Sequence, residues 1–327
     1  MSQHFLLSAK ARTLSLATVI RMTDMEAETT FRNVRWEDGA ATCPNCGCCT
    51  VYECRRPSGA LRFRCKACRA DFSITSGTLF AFHKMPLRNY LAAVAIFVNE
   101  VKGKSALALS RDLDVQYKTA FVLTHKMREA MAFELKGMRI GGEGETVEVD
   151  GMYVGGYIKP ANHKENRRDR RLAKNQNGKR KVVVVARERG GRTLPSDFKA
   201  EVDSLGFIIQ RVNPASKLVA DEAPGWNALH AKSEMSRIDH SKAYSEDGTH
   251  SNGAEGYFSR LRRSEIGHHH HISGQYLIRY AQEMAWREDH RRVANGAQVK
   301  AVATLAMTAP TSVDWCGYWQ RALKKAA

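Results

Sequence analysis

Acidic side chains are in short supply in this chain of 327 residues: 34 Asp and Glu face 51 Lys and Arg, a formal charge of +17. That deficit argues against a cationic partner and for a polyanion, because neutralising phosphates releases condensed counterions. Long apolar runs are also missing. None approaches the roughly 18 residues of a membrane-spanning helix, which leaves nucleic acid rather than a bilayer as the anionic partner. The opening segment holds Phe5-Leu6-Leu7, but Lys10, Arg12 and Arg21 interrupt it and no small-residue cleavage pattern follows. A secretory signal is therefore not expected, and the chain reads as cytoplasmic. No internal repeat is present, nor any Gly-rich phosphate loop of the kind an ATPase domain carries.

Cysteine is where the positive signals begin. Cys43-Pro44-Asn45-Cys46 and Cys65-Lys66-Ala67-Cys68 are two C-x2-C pairs separated by eighteen residues, a spacing that predicts tetrahedral Zn2+. The stretch 38–80 is too small for an apolar core of its own, so a metal crosslink is expected to fold it. A disulfide framework is the competing explanation and does not suit an intracellular chain. Cys48, Cys49 and Cys54 are read as free thiols. Arg55, Arg56, Arg62, Arg64, Lys66 and Arg69 crowd the same module with Tyr52 and Phe63 among them. A solvated basic face is the plain reading, and contact with nucleic acid or a partner protein is the functional one.

Helical patterning follows from Pro86 to about Leu135. An apolar helix over 87–98 leads to a short helix over 105–113 and, after a break at Asp114-Val115, to another from Gln116 to Arg128. Two short helices with a tight turn, the second opening on polar residues, outline a helix-turn-helix in which Gln116, Tyr117, Lys118 and Thr119 face the groove. Leu109, Leu113, Val115 and Phe121 are expected to pack the pair together.

Period-two alternation then predicts two strands, Thr146 to Asp150 and Ser216 to Asp221, each closed by an aspartate. Asp before Gly is also an ordinary strand-to-turn ending. About thirty residues further on, a predicted helix carries Asn252 and Glu255 on one face, with Arg262 two turns beyond Glu255. Taken alone, Asn252 and Glu255 fit a capping box. As an ordered set, two strand-borne carboxylates and a helix-borne oxygen would coordinate two divalent cations, Mg2+ or Mn2+, for phosphodiester chemistry, with Arg262 holding a phosphate. Between the strands, Lys159 to Lys181 is dense in charge around Arg167, Arg168, Arg170 and Arg171, suited to clamping DNA, or to nothing more than solvation. The run Lys181 to Ala186 reads as a central strand. The tail from 295 reads as a loosely attached end whose Trp315, Tyr318 and Trp319 could dock on the catalytic part or on another protomer.

In order, the zinc ribbon, the Ser105–Ala120 helix pair, the Val-Glu-Val-Asp-Gly-x-Tyr-Val-Gly-Gly strand at 147–156 and the Asn-Gly-x-Glu-Gly-Tyr-Phe-Ser helix at 252–259 resemble the IS1595-type (ISXO2-like) insertion-sequence transposases. The resemblance spans about Phe5 to Arg292. It implies a ribonuclease-H-like catalytic domain of the DDE superfamily, cutting double-stranded DNA at element ends and joining 3′ ends to target DNA with divalent metal. It also implies a homo-oligomer in the active complex. Carried over residue by residue, it makes Asp150 and Asp221 the first two catalytic aspartates, with Asn252, Glu255 and Arg262 as candidates for the third position and its following basic residue. Glu255 is preferred for its charge. Two departures stand out: Ala220 replaces the hydroxyl residue before the second aspartate, weakening its support, and His268 to His271 extend a His pair whose His270 and His271 are expected near the site.

The fold class implied is a multi-domain α+β chain: a helical segment 1–37, zinc ribbon 38–80, helix-turn-helix 81–138, α/β ribonuclease-H-like domain 139–294 and tail 295–327. A sequence-specific DNA-binding regulator, or a nuclease that hydrolyses without joining, would share parts of this layout.

Overall fold

Thr23 sets the first long helix. Its hydroxyl accepts from the Glu26 N–H while the Glu26 carboxylate accepts from the Thr23 N–H, a reciprocal cap that starts α2 (Asp24–Arg35) just after α1 (Leu16–Arg21). The computed structural model describes residues 4–156, 159–169, 172–175, 177–239, 245 and 248–321. By contact the chain forms two units, Met1–Glu134 with His290–Ala327, and Leu135–Asp289.

In the first unit, β1 (Val51–Arg55), β2 (Leu61–Cys65) and β3 (Asp71–Phe72) make a small antiparallel sheet in that order. Phe63 is fully buried, edge-on to Trp36 at 5.7 Å and stacked on Phe72 at 5.2 Å. It belongs to the core, so only Tyr52 of the two aromatics expected on the basic surface is exposed. Helix α3 (Leu87–Asn99) is buried continuously from Leu91 to Val98, which accounts for its almost wholly apolar sequence. Then come α4 (Ala106–Asp112) and α5 (Tyr117–Glu134), linked through Asp114, whose φ of 51° makes the sharp turn.

The second unit holds a five-stranded sheet. Its strands are β4 (Thr146–Val154), β5 (Lys181–Glu188), β6 (Thr193–Phe198), β7 (Lys217–Asp221) and β8 (Met235–Ile238), in the order β6-β5-β4-β7-β8. The first three pair antiparallel and β7 and β8 run parallel to β4. Val182 to Ala186 of β5 are wholly inaccessible to solvent, as a central strand requires. Helices α6 (Leu205–Arg211), α7 (Asn252–Ser264) and α8 (Leu277–Asp289) accompany the sheet, α7 against β4 and β5 and α8 against β6.

Residues 295–321 are not a loose end. They open with α9 (Asn295–Thr308), which packs on α2, α3 and α5 through Val299, Val302, Ala303, Ala306 and Met307, all buried. Trp315, Tyr318 and Trp319 dock on Phe121 of α5, and the Trp315 ring lies flat on His125 at 4.1 Å. The C-terminal segment thus completes the core that the N-terminal helices begin. No helix among the described residues is long and apolar enough to cross a membrane.

Asn295 fastens the two ends of the chain to each other. Its side-chain oxygen accepts from the N–H groups of Thr13 and Leu14 at 2.9 and 3.0 Å, and its amide donates to the Leu14 carbonyl at 2.8 Å and to Asn99 at 3.0 Å. Asn295→Ala should therefore lower stability by about 1–2 kcal/mol in urea titration, since two backbone N–H groups and a carbonyl lose their partner. An unchanged midpoint would show that water replaces the amide without cost.

Candidate active site and zinc centre

Asp150 does not end its strand. Gly151 to Val154 continue the antiparallel pairing with Val184 to Lys181, so β4 runs four residues past the aspartate. What ends there is the parallel ladder to β7, whose last pair is Val149 with Ala220. The next residue on each strand is Asp150 and Asp221. The two carboxylates therefore emerge from adjacent parallel strands, whose backbones lie about 4.8 Å apart. Burial first, then the charges of Asp221, Glu255 and Glu201, push Asp150 up to about 7, against the N–H of Gly151, which donates to its Oδ1 at 2.7 Å.

Asp221 is held by a residue that sequence reasoning passed over. The indole Nε1–H of fully buried Trp226 donates to its Oδ1 at 2.8 Å, and the Ala223 N–H donates at 3.2 Å. The support expected to be weakened by Ala220 is supplied from the turn after the strand. A Trp five residues past an aspartate carries no local signal of that role. Glu201 was also missed. An ideal Cβ at Gly151 would lie 2.8 Å from its Oε1 and one at Gly225 would lie 3.1 Å from its Cβ, so both glycines make room for it. Burial and then the charge of Asp221 raise its pKa above the usual carboxylate range.

Helix α7 starts at Asn252, which occupies the first helical turn and not the cap position, and is exposed. The expected Asn252–Glu255 capping box is absent. Instead the Ala254 N–H donates to Oε2 of Glu148 on β4 at 2.9 Å. Glu148 is itself buried, pairs with Arg189 Nε at 2.9 Å and stands 3.5 Å from His250 Nδ1. Arg189 in turn donates to the carbonyls of Gly248 and His250, closing the segment before α7. Gly253 permits the approach, for a Cβ there would meet Glu148 Oε2 at 2.7 Å. Period-two spacing puts Glu148 on the Asp150 face, a clue present in the alternation. Glu255 is exposed, accepts from the Ser251 hydroxyl at 3.3 Å, and is the α7 carboxylate whose charge reaches Asp150. Arg262 is exposed on the same helix.

These carboxylates suit hard divalent cations, which take oxygen donors. No three of them converge within 4.8 Å among the described residues. Past α7, His270 takes a φ of 56° and His269 meets the Tyr280 ring at 4.7 Å.

Of the groove-facing set, Gln116, Tyr117, Lys118 and Thr119 are all exposed around the start of α5. Lys118 is engaged by the C-terminal segment: its carbonyl accepts from Trp319 Nε1 at 3.3 Å and its ammonium lies 5.4 Å from the Trp319 ring centre. Arg167 and Arg168 are exposed, the former donating to the Ala161 carbonyl at 3.1 Å. Arg170 and Arg171 lie outside the described residues.

Cys43, Cys46, Cys65 and Cys68 bring four sulphurs within 4.8 Å of one another. The Sγ separations of 3.7 Å for Cys43–Cys68 and 3.5 Å for Cys46–Cys65 approach the ~3.8 Å edge of a tetrahedron with Zn–S bonds of ~2.3 Å. Each pair lies in the same turn: the Gly47 N–H donates to Cys43 O and the Arg69 N–H to Cys65 O, with φ of 74° and 59° at the two donors. The Ala70 N–H and then the Asn45 amide draw the Cys68 thiol down, while against the Cys48 N–H the neighbouring Cys65 and Cys68 sulphurs hold Cys46 up to about 12, so thiols this close cannot all ionise until a cation joins them. Cys48, Cys49 and Cys54 stand outside this group.

Cys65→Ser should release the zinc, measured by atomic absorption, and loosen the ribbon in hydrogen exchange while exchange in Leu135–Asp289 is unchanged. Full zinc retention would rule the assignment out. The acid cluster makes a second expectation. With Asp150 raised from 3.8 to about 7, its contribution to stability is complete below the lower value and disappears as pH rises through the upper one. The melting temperature should fall between about pH 4 and 8 more steeply in wild type than in Asp150→Asn, with Mn2+ at the upper end restoring only the wild type. Parallel curves would mean the cluster does not feel itself.

Residues 141–289 match the family model of the ISXO2-like transposase domain, and residues 22–71 that of the IS1595 transposase zinc-ribbon domain, together more than half of the chain. A protein of Halobacterium salinarum, described as an uncharacterized protein in transposable element ISH50, is 24% identical over 296 residues, covering 88% of this chain and 98% of that one. Among solved structures, a chain of the Mos1 strand transfer complex is similar at 12% identity, over 68% of this chain and 80% of that chain, with a TM-score of 0.24, too low to carry an argument. With a ribbon and a catalytic-domain model of one family matched in order along it, the chain belongs to the IS1595-type, ISXO2-like insertion-sequence transposases.

Proposed function

We propose that this chain binds the terminal inverted repeats of its element and catalyses divalent-metal-dependent 3′-end cleavage and strand transfer. The observation that carries this reading is the emergence of Asp150 and Asp221 side by side where the β4–β7 ladder stops, with Glu255 acting on the first from α7. A mixed sheet with three antiparallel strands, two parallel ones and α7 against β4 supports a ribonuclease-H-like domain. Paired Mg2+ or Mn2+ ions would activate the attacking oxygen and stabilise the leaving one.

The chain's own residues do the rest. Asp150, Asp221 and Glu255 would hold the cations, with Glu201 beside the aspartates. Asp150 would give up its proton on loading, which lets cations compete with protons near neutral pH. Trp226 orients Asp221, and Glu148 fixes the start of α7 and hence Glu255. Arg262 would hold a phosphate of the bound strand, and Asn252 contributes less than Glu255 because it carries no charge. The α4–α5 pair, with Gln116, Tyr117 and Thr119 exposed and Lys118 steadied by Trp319, supports end recognition as a helix-turn-helix. Arg167 and Arg168, with Arg170 and Arg171, would hold backbone phosphates. The active complex would be a homo-oligomer on nucleoid DNA.

The test is cleavage and joining on duplexes carrying the sequence that flanks the gene. Asp150→Asn and Asp221→Asn should each lose at least about a hundredfold in both steps, and Trp226→Phe about tenfold. Glu255→Gln should match the aspartate variants while Asn252→Ala keeps most activity. An active Asp150→Asn enzyme sinks the mechanism. Cleavage without joining would make the protein a nuclease, and end binding without cleavage a regulator.

A further inference from the structure

The turn after the zinc ribbon holds one residue in a conformation that does not suit it. Leu79, Phe80 and Ala81 are buried, and His83 is tied down through Thr75 Oγ1 at 2.6 Å and by the Tyr90 ring at 6.0 Å. Phe82, between them, has φ of 60° and is 79% exposed. A bulky residue in the left-handed region is strained, and here the ring returns no burial for the strain. Gly in its place would fit the backbone better.

Phe82 stands on the wall of a cavity of about 800 Å³ shared by Glu28, Arg55, Arg62, His83 and Lys84. Arg55 is neutralised by Glu28 at 2.7 Å. Arg62 and Lys84 make no ion pair among the described residues, and the buried Nε of Arg62 has no hydrogen-bond partner there. Arg62 lies opposite Cys54 on the β1–β2 hairpin and two residues from Arg64, so the cavity continues into a basic sheet face that also carries exposed Tyr52 opposite Arg64. An aromatic ring held in water beside unpaired cations is the combination that takes a base on the ring and its phosphates on the charges. A stacked duplex offers no free base face, whereas a parted strand does.

We propose that the Phe82–Lys84 turn and Arg62 form a site for unpaired DNA nucleotides, Phe82 stacking on one base while Arg62 and Lys84 hold the flanking phosphates. This rests on DNA being the substrate, as proposed above, and adds that the ribbon side of the molecule takes a strand whose pairing has opened.

Fluorescence anisotropy with the full zinc-loaded chain tests it, using a short oligothymidylate and a blunt duplex as probes. Phe82→Gly should weaken oligothymidylate binding about tenfold and change duplex binding less than about twofold. Its melting temperature should be unchanged or higher, since the substitution relieves the backbone. Phe82→Tyr should retain binding, and Lys84→Ala should flatten the salt dependence of single-strand binding by roughly 0.7 in log–log slope. Full oligothymidylate affinity in Phe82→Gly, with wild type binding duplex, overturns this inference alone. Wild type that binds neither probe overturns the functional reading and this inference with it. Loss of self-association in Phe82→Gly at constant DNA affinity would assign the ring to a protein contact and overturn the site.

Discussion

The unit Leu135–Asp289 hinges on a buried carboxylate, Glu148, that the acid cluster does not include. Glu148 points from β4 into the start of α7, where one oxygen caps the Ala254 N–H and the other pairs with Arg189. Without it the buried first turn of the helix would carry an unpaired Ala254 N–H next to the sheet, and the start of the helix bearing Glu255 would lose its tie to β4. Removing Glu148 leaves the Ala254 N–H unpaired and the half-buried Arg189 without its carboxylate, at about 1–3 kcal/mol. The adjoining Arg187–Glu288 pair at 2.9 Å and the contact of Arg260 with Glu288 extend the same polar layer toward α8. The layer connects the strand bearing the first aspartate to the helix bearing the third acid.

The acid cluster is built against its own repulsion. Three other carboxylates act on Asp150, and the hydrogen bonds to Asp150 and Asp221 come from backbone N–H groups and one indole rather than from cations. A site of this kind is strained when empty of positive charge and relieved when it gains some. The divalent-metal binding proposed above and the raised pKa of Asp150 then have one origin.

How much of this was legible beforehand depended on range. The zinc ligands were readable because a C-x2-C pair builds its turn locally. The strands carrying Asp150 and Asp221 were readable from alternation, although the continuation of the first beyond Asp150 was not, because Gly151 reads as a turn residue and in fact makes space for Glu201. Glu201 and Trp226 reach the site only through tertiary packing and left no pattern. Phe63 looked like part of a basic aromatic surface because neighbouring arginines outnumber it, yet β2 alternates and turns it inward. The helix from Asn295 had its signal in Val299, Val302, Ala303 and Ala306, spaced for one helical face. Small residues and the nearby Pro310 concealed it.

That last helix places the catalytic unit as an uninterrupted insertion inside a unit made from both ends of the chain. Residues 135–289 leave the ribosome before α9 exists, and domains fold as they are made. The acid cluster can therefore be assembled while the unit carrying the ribbon and α4–α5 still lacks a packing layer. A message broken after residue 289 would yield a chain with the acid cluster in place and the unit holding the ribbon and α4–α5 unfinished, so the order of synthesis makes that unit the last to close.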